Sequence, residues 1–384
     1  MLSINSADVG ADGATARPRR THPTPLPRPR GPISSALRTL LTGPPTHDAD
    51  ILASSHITEL WSPAEDAPWW RAGEDAALAL VYLAELRRRG LEGVDDGWDG
   101  HPLLATARWT LSGPVRRGLE RLADADEPHP RATGYAVLRQ VIAMAARVST
   151  PSQSALACGF GEGFENEVVL TAVQRLRERD ACASLLPALA GTPRRLLART
   201  VSVAPSDDVD IDGEREAVAA VLRRLDLADS TGANLDELPG PALWRIAVLD
   251  HLVTHRSSRA AALGWLAAAD ALAAAGRFVT GDALRTHGIP AATAQAWDAC
   301  VIGHMSTLEA AEHLVDAEPQ LATDVLLGAR ACVAATTAVQ GAVDERQRLR
   351  GQPRAELTID IPVVADVPGV SDVTPQPTPT EGLT

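Results

Sequence analysis

Residues 74–89 read EDAALALVYLAELRRR, from Glu74 to Arg89, and Gly90 follows. Ala77, Leu80, Val81 and Ala84 fall at i, i+3, i+4 and i+7, the spacing of one helix face, and Gly90 is a stop signal. Arg87, Arg88 and Arg89 sit at the C-terminal end, where any cation suits the helix dipole; on this reading Lys would serve there as well as Arg.

The same period recurs on both sides of this stretch. Gly134 to Val148 carries Val137, Leu138, Val141, Ile142 and Ala145. Glu165 to Asp180 carries Val168, Val169, Ala172, Val173 and Leu176, with an Arg/Glu face expected to point outward. Glu214 to Leu227 follows, then Ala242 to His255 opened by Pro241, then Ser258 to Ala275 closed by Gly276. Thr307 to Ala317 and Gln320 to Arg350 complete the set. The only strand candidates are Thr200–Val203 and Leu357–Val367. The sequence therefore predicts an all-α protein, a multi-helix bundle or irregular helical array. No fixed repeat period is visible.

Composition shifts set the expected boundaries. Residues 1–46 hold many prolines, and six arginines (Arg17, Arg19, Arg20, Arg28, Arg30, Arg38) stand against only Asp8 and Asp12. They read as a disordered basic tail. Residues 351–384 read as a disordered acidic Pro/Thr-rich tail. Between them, 47–205 and 206–350 are two helical domains or one continuous one, with the Asp-rich stretch 206–213 as the boundary.

The strongest exclusion is a missing residue type: all 36 basic residues are Arg, and Lys is absent. A P-loop, a lysine-dependent kinase and a pyridoxal-phosphate enzyme are thereby excluded. Codon bias in a GC-rich bacterial genome accounts for the Ala-rich, Lys-free composition; escape from lysine-targeted degradation is the sharper alternative. The net charge of −13 disfavours nucleic-acid binding by the body of the protein, leaving only residues 17–38 as a basic arm. The cysteines Cys158, Cys182, Cys300 and Cys332 form no metal or dithiol spacing, which suits a reducing, cytoplasmic setting. Residues 1–20 lack an apolar signal region, and the Ala/Leu run 260–276 contains Asp270 and falls short of the ~18 residues a membrane span needs. No cofactor is expected.

Five features carry possible chemistry. Asp208, Asp210, Asp212 and Gly213 match the opening of a calcium loop, but the position of the closing Glu is Ala219. A solvated loop in which Asp212 caps the next helix is the plainer reading. His251 and His255 at i, i+4 place two imidazoles on one helix face, where a metal would need a third ligand such as Cys300, His304 or His313. The alternative is a helix C-terminus favouring cations. Thr280 to Trp297 reads as a helix-turn-helix with Gly288 in the turn and Trp297 in the core, yet Ala291 to Cys300 has no Arg for DNA. Gly159-Phe-Gly161-Glu-Gly163 is a glycine-rich hinge whose acids would repel phosphate. Trp61, Trp69, Trp70, Trp98 and Trp109 crowd one region; anchoring of a long loop to the core is the plainer reading, and an interaction surface, with Trp69 and Trp70 as its candidates, is the other.

The expectation is thus a non-catalytic cytosolic interaction or scaffold protein with a protein partner and no membrane. Its rivals are a metal-dependent hydrolase at His251/His255 and a DNA-associated regulator using 280–297 with the basic arm.

Overall fold

The computed structural model describes residues 23–45, 68–124, 133–148, 162–188, 211–229, 232–302 and 306–351. These contain thirteen α-helices: α1 (Pro32–Thr42), α2 (Glu74–Arg88), α3 (Pro102–Leu111), α4 (Gly113–Asp124), α5 (Gly134–Arg147), α6 (Glu162–Ala188), α7 (Ile211–Arg224), α8 (Gly240–Thr254), α9 (Arg259–Ala274), α10 (Gly281–Thr286), α11 (Ala291–Ile302), α12 (Ser306–Ala317) and α13 (Ala322–Gly351). Among the described residues there is no strand, only an isolated parallel bridge between Thr24 and Leu91. The all-α architecture follows from the helical spacing of the apolar residues.

Three helices form the centre. Every residue from Ala76 to Leu86 in α2 is buried, and so is every residue from Ala260 to Ala273 in α9. In α8 nearly all side chains are buried as well. Helices apolar all round need neighbours all round. α9 packs on α5, α6, α8, α12 and α13, and α2 packs on α1, α3 and α8. Buried residues on both sides of residue 206 belong to one continuous core.

The closest approach is the crossing of α9 and α13. A Cβ on Gly264 would lie 1.9 Å from the Val325 carbonyl oxygen, and one on Gly328 would lie 1.7 Å from the Ala261 carbonyl oxygen. Neither position has room for any side chain, so the two backbones touch. Among the described residues, Pro319–Arg346 is long and apolar enough to cross a membrane by length and composition. Half of its most apolar window is buried inside the protein.

The N-terminal boundary differs from expectation. Residues 23–45, assigned by composition to the tail 1–46, are packed. Ile33, Leu37 and Leu41 of α1 are buried, at one-turn spacing behind Pro32. The backbone amides of Ile33 and Ser34 donate to Asp75 at 2.7 and 2.9 Å, so a carboxylate at the start of α2 caps α1. The preceding Pro-rich stretch runs extended and is anchored: Tyr82 and Arg38 both donate to the Pro27 carbonyl, at 2.8 and 2.9 Å. Proline content masked a short amphipathic helix. Residues 1–22 and 352–384, and both strand candidates, lie outside the described residues.

The outward Arg/Glu face expected of the helix at 165–180 is a second difference. In α6, Arg175, Arg177 and Glu178 are each under 5 % exposed. Charges along α6 meet opposite charges on its neighbours rather than water.

Candidate functional site

α6 carries two buried ionic clusters on different flanks. On the first, Arg175 donates to Glu178 at 2.6 Å and to Asp270 of α9 at 2.9 Å. Arg245 of α8 donates to the other Glu178 oxygen, and also to Gln174 Oε1 and Thr336 Oγ1 of α13, both at 2.9 Å. Thr307 of α12 donates to Asp270. Burial alone would lower the Arg175 pKa; the Glu178 and Asp270 carboxylates raise it instead. Cys332, also fully buried, has its thiol pushed up to about 12 by burial and is an inert thiol.

On the second flank Glu85 of α2, fully buried, accepts from Arg177 and, at 2.7 Å, from the Thr24 hydroxyl. Burial raises the Glu85 pKa, but the Arg177 charge and these two hydrogen bonds outweigh it and leave the pKa lowered. Nearby, Arg89 and Arg215 converge on Asp180, and Arg88 bonds Asp250 at 2.9 Å. The arginines at 88 and 89 therefore bind specific carboxylates; only Arg87 of the three is exposed.

Beside the first cluster lies a small groove, open to solvent. One wall is the α6 stripe Glu167, Leu170, Thr171 and Gln174, spaced i, i+3, i+4, i+7. The other is the α13 stripe Thr336, Val339, Gln340 and Val343, with the same spacing. Arg277, Phe278 and Val279 close the remaining side. Because Arg245 Nη1 bonds both Gln174 and Thr336, those two residues meet at one end. Glu167 and Val343, each two turns away on its own helix, then mark the other end.

The structure distributes the sequence-derived candidates as follows. His251 and His255 lie at the end of α8 with ring centroids 4.0 Å apart. His255 Nδ1 donates to the His251 carbonyl at 2.7 Å, which orients the ring. Burial, then His255 and Arg116, depress the His251 pKa to about 3, so that ring is neutral. Cys300 is fully buried on α11 and His313 sits on α12, while His304 lies outside the described residues. Among the described residues no three metal-type side chains converge. Asp208 and Asp210 lie outside the described residues, and Asp212 falls within the first turn of α7. The glycine-rich hinge, as far as Gly161, also lies outside the described residues.

The helix-turn-helix geometry is present as α10 and α11, with Gly288 at φ +79° in the turn. Trp297 is fully buried and donates to the Val279 carbonyl at 2.8 Å; Asp298 accepts from the Gly281 amide. The second helix thus serves packing and capping. Of the basic arm, Arg30 is bound to Glu74 and the Asp236 carbonyl, and Arg38 to the Pro27 carbonyl.

Trp69, a candidate interaction residue for which core anchoring is the plainer reading, is a core residue at 1 % exposure, as that reading expects. It stacks edge-on to half-buried Trp70 at 5.3 Å and lies over Gly118, where a Cβ would come within 2.2 Å of its ring. Among the described residues the exposed large apolar side chains are others: Trp109 (59 %), Tyr135 (61 %) and Ile142 (44 %). Trp109 is covered on one face by Arg116, 3.7 Å from the ring. Tyr135 and Ile142 share a face of α5, being seven residues apart, and the face was readable once Val137, Val141 and Ala145 were assigned inward. No protein-family model, no curated protein and no solved structure matches the chain, so its function is read from these residues alone.

Proposed function

We propose that the protein is a non-catalytic, cytosolic helical interaction protein, and that the outer face of α5 receives an amphipathic helix of a protein partner. The observation carrying this reading is the pair Tyr135 and Ile142, exposed on one face with half-buried Leu138 between them. The spacing i, i+3, i+7 is a ridge that a second helix can pack against. Large aromatic and aliphatic side chains left in water at such spacing mark interaction surfaces. The ionic groups near α6 are consumed by each other, which suits structure rather than turnover.

The metal-hydrolase and DNA-regulator readings have less support. The first lacks a third ligand among the described residues. The second would rely on a helix whose exposed positions are Ala291, Ala292, Gln295 and Ala299, and on an arm two of whose arginines are bound internally.

The test is a photo-reactive residue at exposed Arg139, introduced in the native host. A discrete covalent adduct is expected, and the partner identified from it should bind the purified full chain. Tyr135→Ser with Ile142→Ser should weaken that binding about tenfold or more at unchanged melting temperature. Binding indifferent to the double substitution, or no adduct, would remove this reading.

A further inference from the structure

The outer face of α5 is basic as well as apolar. Its sequence, GYAVLRQVIAMAAR, contains no acid. Arg139 and Arg147 are both exposed beside the ridge of Tyr135, Leu138 and Ile142. A second copy of the chain suits this face poorly, because pairing two such faces sets arginines against arginines. The face calls for an apolar segment that carries carboxylates.

The chain holds such a segment beyond the described residues. From Leu357 to Val367 every odd-numbered residue is apolar: Leu357, Ile359, Ile361, Val363, Ala365 and Val367. Asp360 and Asp366 stand among the even-numbered ones, and Glu356 precedes them. Period-two alternation gives an extended segment one apolar side, and Pro362 bars a regular helix through its middle. Extended, Ile359 to Val363 spans about 13 Å. Tyr135 and Ile142 are about 10 Å apart along α5. Three alternate side chains of the segment therefore cover the ridge.

The connection is short enough. Arg277 ties the end of α5 to α13: its Nη2 donates to the Ala146 carbonyl at 3.1 Å, and it lines the same groove as Val343. From Val343 to Gly351, where α13 ends, is about 12 Å of helix. The chain from Gly351 to Ile359 reaches up to about 27 Å, enough to double back to α5. Tethering on so short a linker gives an effective concentration of about millimolar, so a weak contact suffices for occupancy.

We infer that residues 356–367 dock on the outer face of α5, their apolar side on Tyr135, Leu138 and Ile142 and their carboxylates toward Arg139 and Arg147, and so compete with a protein partner for that face. This docking rests on the reading of the α5 face as an interaction surface and adds a regulator to it.

The test is a photo-reactive residue in place of exposed Ala143, in the purified full chain, dilute and at low salt. Trypsin releases residues 355–384 as one peptide, because Arg354 is the last basic residue. Irradiation should join that peptide to α5 within one chain, at a yield independent of protein concentration. Ile359→Ser with Ile361→Ser should lower the yield about tenfold. Asp360→Arg with Asp366→Arg should lower it about threefold. Both double variants should melt as the parent does, so that a lost adduct is not a lost fold. Docking is overturned if no such adduct forms, if its yield rises with concentration as it would between two copies, or if the double variants cross-link as the parent does. Failure of the proposed function alone looks different: the host gives no partner adduct at Arg139, while the adduct within the purified chain persists.

Discussion

The crossing of α9 with α13 and the flanks of α6 solve the same problem by opposite means. At the crossing, helix backbones are in contact because Gly264 and Gly328 have no side chains. Along α6, helices are held by buried arginines and carboxylates reaching across from α2, α8 and α9. The first contact is specified by absence: any added atom collides, whatever its chemistry. The second is specified by pairing. Each charge is tolerable only because its partner is present, and the desolvation of the two together offsets much of their attraction. The two regions should therefore answer substitution differently. A collision cannot be compensated by a second change in charge, whereas a lost ion pair can be compensated by removing the other half.

Glu85 and Arg177 provide the largest expected effect. Glu85→Leu strands a fully buried guanidinium and should destabilise by about 3–5 kcal/mol. Glu85→Leu with Arg177→Met removes both charges and should recover most of that loss, to within about 1 kcal/mol of the parent. Urea unfolding measures both, and a double variant no better than the single would break the pairing half of the comparison. The same pair gives a pH dependence. The Glu85 pKa is lowered in the folded state, so its contribution is complete above the unfolded carboxylate value and is lost as pH falls through the folded one. Acid should thus destabilise the parent in this range more steeply than the double variant.

Next in size is the crossing. Gly328→Ala places a methyl group where a carbonyl oxygen already sits, and overpacking of this kind costs about 3 kcal/mol. Gly341, on the same helix, has nothing within 4 Å of its would-be Cβ. Gly341→Ala should instead stabilise by about 0.5–1 kcal/mol, through helix propensity alone. Melting of the two variants side by side separates a steric requirement from a general dislike of alanine. Equal shifts would show that the close approach is not what fixes α13 on α9.

The contrast also explains what was legible in the sequence. Apolar spacing alone placed α2, α5 and α9 to within a few residues: Gly134 to Val148 was expected, and α5 is Gly134–Arg147. Stop glycines were equally plain, with Gly90 and Gly276 both at positive φ. The α1 helix was hidden because its three core residues sit inside Pro-rich chain whose composition outweighed their period. The charged face of α6 misled for a different reason. Arg and Glu at helical spacing look the same whether they face water or face Arg245 and Asp270, and only the fold brings those partners opposite. One clue existed: Asp270, a lone charge inside an Ala/Leu run, must be paired if that run is buried. The groove had no such clue, since its walls are two four-residue stripes from distant parts of the chain. The tryptophan cluster stayed ambiguous for a related reason, since counting aromatics does not tell a core anchor such as Trp69 from a surface ring such as Trp109.

The smallest expected effect returns to the three arginines that close α2. Arg87 is exposed, whereas Arg89 reaches Asp180 of α6, which also accepts from Arg215 at 2.9 Å. A guanidinium presents a planar fork of donors; an ammonium is shorter, more strongly hydrated and cannot reproduce that geometry. Arg87→Lys should therefore change stability by less than about 0.5 kcal/mol. Arg89→Lys should cost about 1 kcal/mol, through a weakened charged hydrogen bond at a partly buried site. Thermal melting of the two single variants in one buffer reads the difference. If both are neutral, the arginines bordering α6 act as generic cations at a helix end, and the pairing that distinguishes α6 from the glycine crossing does not extend to its rim. If only Arg89→Lys is destabilising, part of the preference for Arg over Lys in this chain has a structural cause, because the fold has used the fork.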